Sequence, residues 1–364
     1  MMKRIMLVLV LLLTASFTLA AGPLAVHVID VGQGDAIFVQ SPDGKTMLVD
    51  GGERNGMAEK YLDSLGVRTI DIVVATHPHL DHIGGLPAII QKYDVKQVVM
   101  PRVTSVTTVI YQQLLEAIKA KGLRVTEGKA GLVLDLGPSM TVECLAPNGT
   151  EYKDLNDYSV VLKLAYGDVP ILLTGDATAV SEKEMLQFHG NKLKSTILKI
   201  GHHGSSGSSS AAFIKEVNPQ VVAFSVGKGN SFGHPTQTIW NRVSGSNLFR
   251  TDEQGTAIFV TDGRQLAAYS PPVNGQYLAL APYQTPGALV AQAQPAATQP
   301  PIAAQTQPTT AAQYPQTASE ETVYITKSGT KYHKAGCSSL SSSSIPMSRA
   351  EAAQKYGPCG ICKP

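Results

Sequence analysis

The chain has 364 residues, 43% of them hydrophobic, ample for two or three domains each with its own core. Thirty basic residues face 28 acidic ones, a net charge of +2 that Lys3 and Arg4 account for, so overall charge points to no nucleic-acid partner. Beyond the N-terminus no apolar run is long enough to cross a bilayer, which excludes a membrane channel.

In chain order, Lys3 and Arg4 precede the apolar run Ile5 to Leu13, and small residues follow at Ala15, Ser16, Ala20 and Ala21. That order reads as a cleavable signal peptide over residues 1–21 and a secreted protein. An uncleaved anchor is the alternative, although the run is shorter than the ~20 residues a spanning helix needs. Strands are expected at Leu24 to Val31, Ala36 to Gln40, Lys45 to Val49, Ile70 to Ala75 and Gln97 to Met100. A helix is expected at Val109 to Lys121, where Ile110, Leu114, Leu115 and Ile118 fall on one face and Gly122 stops it. Further strands follow at Met140 to Leu145, Ser159 to Ala165, Pro170 to Leu173, Ser195 to Ile200, Val221 to Val226 and Ala257 to Thr261, with helices near Ser181 to His189 and Ser210 to Val217. From 271 to 321 Pro, Gln, Ala and Thr dominate, the composition of a flexible linker. It separates a domain over 22–270 from a tail over 322–364.

The densest chemistry is Thr76-His-Pro-His-Leu-Asp-His82, which follows the strand at Ile70 to Ala75. His77 and His79, one residue apart, can converge on one ion. Asp81 and His82 are placed for a second ion or for an attacking water. Asp50, Asp176, His202, His203 and His234 also fall just beyond expected strand ends, where loops converge while sheets stay rigid. His27 and His189 read as ordinary, one in an apolar strand and one at a helix end.

Six words in order, Asp30-Val-Gly-Gln-Gly-Asp35, Leu48-Val-Asp50-Gly-Gly52, His77-x-His-x-Asp-His82 with Ile83-Gly84-Gly85-Leu86, Leu173-Thr-Gly-Asp176, Lys199-Ile-Gly-His-His-Gly-Ser205 and Gly233-His-Pro235, resemble the metallo-beta-lactamase fold hydrolase domain of the ComEC DNA-uptake proteins. The resemblance covers about Ala25 to Tyr269 and lacks the channel of those proteins. It implies an α/β, four-layer αββα fold with two mixed sheets between helices and a metal site at one sheet edge.

It also implies that His77, His79, Asp81, His82, Asp176 and His234 hold one or two divalent ions, with Asp176 bridging and Asp50 supporting the metal loop. His202 and His203 would then act on the scissile phosphate or leaving oxygen. The swapped assignment, with His202 or His203 as ligand and His234 on the substrate, stays open. No histidine lies between His82 and Asp176, so Asn156, Asp157 and Ser159 are the candidates for a third-motif ligand. Oxygen ligands there favour manganese or magnesium over zinc. The ions would lower the pKa of a water that attacks phosphorus, with Asp81 taking its proton.

The tail carries His333-x3-Cys337 and Cys359-x2-Cys362, one imidazole and three thiol groups spaced for a structural zinc. Disulfide pairing is the alternative; Cys144 lies in an apolar strand, buried and inert. Six basic residues against Glu351 make this tail basic, suited to holding DNA or to attaching the protein to a cell surface. Together these features give a secreted metal-dependent phosphodiesterase or nuclease acting on DNA. A beta-lactamase or other ester or amide hydrolase of the same fold, or a non-catalytic DNA or cell-wall binding protein, are the alternatives.

Overall fold

The computed structural model describes residues 22–104, 106–273, 276–283, 322–325, 331–333, 337, 345–348 and 357–359. It divides into two compact units between Ala303 and Ala304. The signal-peptide reading and Cys362 lie outside the described residues.

The first unit contains strands β1 Leu24–Val28, β2 Ile37–Gln40, β3 Thr46–Val49, β4 Thr69–Val74, β5 Asp94–Met100, β6 Val125–Glu127, β7 Val133–Leu134 and β8 Thr141–Ala146. It continues with β9 Val161–Ala165, β10 Ile171–Leu173, β11 Ile197–Lys199, β12 Val221–Phe224, β13 Asn247–Arg250, β14 Ala257–Thr261 and β15 Leu266–Tyr269. They form an eight-stranded sheet, β15-β14-β1-β2-β3-β4-β5-β6, and a seven-stranded one, β13-β12-β11-β10-β9-β8-β7. Both are mixed. The β3 to β6 run is parallel in the first, and the β10 to β13 run is parallel in the second.

Period-two alternation builds the layers. Val26, Val28, Ile37, Val39, Met47, Val49, Ile72 and Val74 of the first sheet meet Leu162, Leu164, Ile171, Leu173, Ile197 and Ala223 of the second in one core. The intervening Phe38, Leu48 and Val73 face the other way. There they pack under helices α1 Met57–Ser64, α3 Leu86–Lys92 and α4 Val109–Ala120, with the single turn α2 Leu80–Ile83 ahead of α3. Leu172, Leu198, Val222 and Phe224 do the same under α5 Ala179–Phe188, α6 Ala211–Val217 and α7 Gln237–Val243. Helix, sheet, sheet, helix is therefore the layer order, as the sequence words implied.

Sequence reasoning passed over α1, α3, α7, β6, β7, β13 and β15. The expected linker also begins too early. Leu280 donates to Ala268 O, Gln254 to Ala281 O, and the Tyr283 ring stacks on Trp240, so residues 276–283 still belong to the first unit. Their ties are single contacts to distant positions, a backbone bond to Ala268, the Gln254 amide and the Trp240 ring, which no local pattern records.

In the second unit, β16 Thr322–Ile325, β17 Lys331–His333, β18 Ile345–Ser348 and β19 Gly357–Pro358 form a sheet in the order β18-β16-β17-β19. β17 and β19 are parallel, pairing Tyr332 with Pro358. Among the described residues no helix is long and apolar enough to cross a membrane.

Candidate metal centre

Parallel strands deliver their C-terminal ends to one edge, and loops leaving such ends meet in a crevice. Here β3 ends at Asp50, β4 at the Thr76 to His82 loop, β10 at Asp176, β11 at His202 and His203, and β12 at the loop carrying His234. The turn between β1 and β2 crosses the same edge. Gly34, at φ +119°, passes so close to the Asp81 carbonyl that a Cβ would lie 2.0 Å from its oxygen, and Asp35 N donates to that same oxygen at 3.1 Å. Five described non-glycine residues have positive φ, and three of them, Asp50, His202 and His203, belong to this crevice. Backbone held in that region by its surroundings concentrates at functional sites.

Asp50 organises the metal loop. Its carboxylate accepts from Thr76 N at 2.8 Å, from Thr76 Oγ1 at 2.6 Å and from His82 Nδ1 at 2.8 Å. Thr76 Oγ1, having donated to Asp50, accepts from His77 Nδ1 at 3.1 Å. On the far side of the crevice His203 Nδ1 donates to the carbonyl of Ser225 at 2.9 Å. In its neutral form each ring would therefore carry its proton on Nδ1, leaving Nε2 turned inward as the atom that can ligate.

Those inward nitrogens converge. His82 Nε2 and His203 Nε2 lie 3.3 Å apart. His203 Nε2 is 3.3 Å from Asp81 Oδ2 and 3.4 Å from Asp176 Oδ2. Asp176 Oδ1 is buried with no hydrogen-bond donor among the described residues; what faces it, at 3.2 Å, is His82 Nε2. With both rings neutral, two nitrogen lone pairs and two carboxylates would face one another and repel unless a positive charge, a metal ion or the rings' own protons, lay among them. Asp81, His82, Asp176 and His203 thus fit a divalent cation by geometry and by donor type.

His77 and His79 form the adjoining half. His77 Nε2 lies 3.0 Å from His79 Nδ1 and 3.9 Å from Asp176 Oδ2, so the Asp176 carboxylate reaches both histidine pairs. His202 Nε2 approaches it as well, at 3.6 Å.

Electrostatics follow from burial and from these carboxylates. Burial works against charge on His82 and His203, yet Asp176, with Asp50 beside His82, outweighs it and holds both rings well above the ordinary histidine range. Burial would raise Asp176; the His203 and His82 rings instead keep it well below the usual carboxylate range. His77 is pushed well below its ordinary value by burial and then by His82. The crevice therefore attracts positive charge, and protons take the place a cation would fill.

Two expectations need correction. His234 does not join the cluster; its ring lies 5.7 Å from that of His202, one ring further out, while His203 takes the inner position. Strand order fixes which loops meet but not their depth, and depth here comes from the left-handed turn at His202 and His203. The third-motif candidates also separate. Asp157 Oδ1 accepts from Thr178 N, Thr178 Oγ1 and Ser181 N, tying down the start of α5 rather than facing the crevice. Ser159 Oγ accepts from Asp176 N at 3.1 Å and lies 3.4 Å from His77 Nδ1, supporting two cluster residues from behind. Asn156 is buried, with its Oδ1 unpartnered among the described residues.

Two residues escaped sequence reasoning. Asp35, buried, lies 2.9 Å from Lys199 Nζ and 3.4 Å from His203 Nδ1. Burial would raise its carboxyl, but Lys199 and then His203 hold it at about 2. The available signals were the acid ending the Gly-Gln-Gly turn and a lone lysine inside the apolar run of β11. His27 and His189 are structural, as expected. His27 bonds Tyr61 and Gln40, and His189 bonds Asn148.

In the second unit His333, Cys337 and Cys359 are buried together, with ligand atoms within 4.8 Å of one another. His333 Nδ1 is 3.4 Å from Cys337 Sγ, and the β17–β19 register places Cys359 N on Tyr332 O at 3.0 Å. One imidazole and two sulfurs at that spacing also fit a metal ion.

The Metallo-beta-lactamase superfamily profile matches residues 29–227. "ComE operon protein 3" of Bacillus subtilis (strain 168) is 30% identical over 252 residues, covering 64% of this chain and 32% of that protein. "Competence protein ComA" of Neisseria gonorrhoeae is 30% identical over 241 residues, covering 65% and 32%. "Endoribonuclease YSH1" of Yarrowia lipolytica is 29% identical over 185 residues, covering 45% and 22%. The match to the two competence proteins spans about a third of their length. With the layer order and the six words in sequence, the match places this chain in the metallo-beta-lactamase superfamily, with ComEC-type competence proteins among its homologues.

Proposed function

We propose that the protein is an exported metal-dependent phosphodiesterase that cleaves DNA. One observation carries this reading: the inward Nε2 atoms of His82 and His203 and the carboxylates of Asp81 and Asp176 lie within 4.8 Å of one another, with Asp176 reaching the His77–His79 pair as well. A divalent ion held by Asp81, His82, Asp176 and His203 would activate water and offset the charge that builds on a phosphate. The remaining work falls to the chain. Asp50, Ser159 and the Ser225 carbonyl fix the orientation of His82, His77 and His203. Asp81, the member of the four-residue cluster whose side chain is part-exposed at 28%, is placed to take the proton of the attacking water. His202 and His234, outside the inner cluster, are placed to meet the substrate or its leaving oxygen.

A competence protein and an endoribonuclease among the named relatives support a nucleic-acid phosphodiester as the bond. The signal-like N-terminus supports export. The cluster of His333, Cys337 and Cys359, with Cys362 three positions after Cys359 in the sequence as the candidate fourth ligand, is read as a structural zinc site in a basic module that holds DNA or attaches to the cell surface.

The test is a substrate panel. Purified protein is incubated with single-stranded DNA, duplex DNA, a cyclic nucleotide and a chromogenic beta-lactam, each with manganese, magnesium or zinc. Metal-dependent cleavage of DNA is expected; turnover of the lactam alone would overturn the reading.

A further inference from the structure

An exposed aromatic side chain stands at the rim of the crevice. Phe232 is 65% exposed, so it serves no core. Its ring stacks on His234 with centroids 5.8 Å apart and planes 25° from parallel. His234 in turn meets His202 edge-on at 5.7 Å, and His202 Nε2 lies 3.6 Å from Asp176 Oδ2. A chain of ring contacts therefore runs from open solvent to the cluster, ending outward in a free aromatic face.

The loop that presents this ring is braced. Asn230 Nδ2 donates to Gly227 O at 3.1 Å and to His234 O at 2.8 Å, and its Oδ1 accepts from His234 N at 3.1 Å. At one end of the loop Gly227 N donates to Gln33 Oε1 at 3.1 Å. At the other, Thr236 N donates to Gly204 O at 3.0 Å. Gly204, at φ +90°, lets Pro235 pack against the histidine turn; a Cβ there would lie 2.6 Å from the proline Cβ. A ring held out in water by this many backbone ties is preorganised for a planar partner.

We infer that Phe232 is a base-stacking platform that seats an unpaired nucleobase beside the bond being cut, and so makes the enzyme selective for single strands. The inference rests on the DNA reading above. Every base offers a π-face when unpaired, whereas a duplex keeps its faces stacked inside. An aromatic ring next to a hydrolytic centre thus discriminates by strand state rather than by sequence.

Four variants test this on full-length protein with a fluorescein-labelled oligothymidylate and a blunt duplex of equal length. Phe232→Ala is expected to lower kcat/KM on the oligothymidylate by about 5- to 150-fold, the equivalent of ~1–3 kcal/mol per stacked base. The loss should fall mainly on KM. Phe232→Trp should restore it, Phe232→Leu, apolar but without a π-face, should not, and cleavage of the duplex should change less than twofold. Phe188, 60% exposed at the end of α5, is the control, and Phe188→Ala should match wild type. Equal KM for wild type and Phe232→Ala, or full rescue by leucine, overturns the platform while leaving the phosphodiesterase reading intact. If wild type cuts no phosphodiester, that reading fails separately, and fluorescence anisotropy with the same oligothymidylate decides the platform: weaker binding by Phe232→Ala supports it, and equal Kd overturns it.

Discussion

Lys199 Nζ lies 2.9 Å from Asp35 Oδ1, and both side chains are at most 2% exposed. One comes from β11 of the second sheet and the other from the β1–β2 turn of the first, so the pair joins the two halves directly behind His203. Removing one partner of a buried ion pair strands the other and costs about 3–5 kcal/mol. Lys199→Met should therefore lower the unfolding free energy by about that amount. The double variant Lys199→Met/Asp35→Leu should recover most of it, since no charge is left stranded. Equilibrium denaturation of the metal-free protein measures both, and a double variant no more stable than Lys199→Met would contradict the pairing.

Asp50 touches no substrate in this arrangement but fixes the tautomer and orientation of His82. Losing such a supporting carboxylate lowers metal affinity by roughly 10- to 100-fold. Asp50→Asn should show that loss in a competition titration against a chromogenic chelator. His234→Ala, by contrast, should bind metal with unchanged stoichiometry, because its ring lies outside the cluster; losing an ion there would restore His234 to the ligand set.

His27 gives a pH dependence remote from the site. Fully buried, it is depressed from 6.5 to about 4 by burial, against a smaller opposing effect of the Gln40 hydrogen bond. The fold accepts only the neutral ring, so stability from this group is complete above pH 6.5 and is lost as pH falls toward 4. The span corresponds to about 3 kcal/mol. His27→Leu should flatten the dependence of the urea midpoint on pH in that window, whatever its effect at neutral pH; an unchanged slope would show that His27 charges inside the fold.

In the C-terminal unit, Cys359→Ser should remove about one equivalent of tightly bound zinc per chain, read by elemental analysis, and leave the ions of the larger unit in place. Zinc content equal to wild type would favour the disulfide alternative.

Much of this was legible because short apolar runs mark strands and a few dense motifs, through their resemblance to a known family, imply how those strands are arranged. Short apolar runs at β1 to β4 and β9 to β12 marked the strands, the two-sheet arrangement was implied by the resemblance in six words, and the Thr76 to His82 loop marked the site. The missed elements are those whose signal is weak locally. β13 and β15 are short edge-proximal strands with mixed burial. The roles of Asp35 and Lys199 depend on two sheets meeting, which no local pattern records. Position along the chain likewise could not rank His202, His203 and His234 by depth, since a two-residue left-handed turn decides which ring points inward.

The most direct measurement is a manganese titration of metal-free wild type and Asp176→Ala, followed by the cleavage rate of a single-stranded oligonucleotide. Wild-type activity should rise with bound ion and saturate at one or two equivalents, with Asp176→Ala slower by at least about a hundredfold at the same total metal, since the carboxylate that spans both histidine pairs is gone. Full cleavage by metal-free protein, or an Asp176→Ala curve superimposed on wild type, would contradict a hydrolytic centre built on these residues.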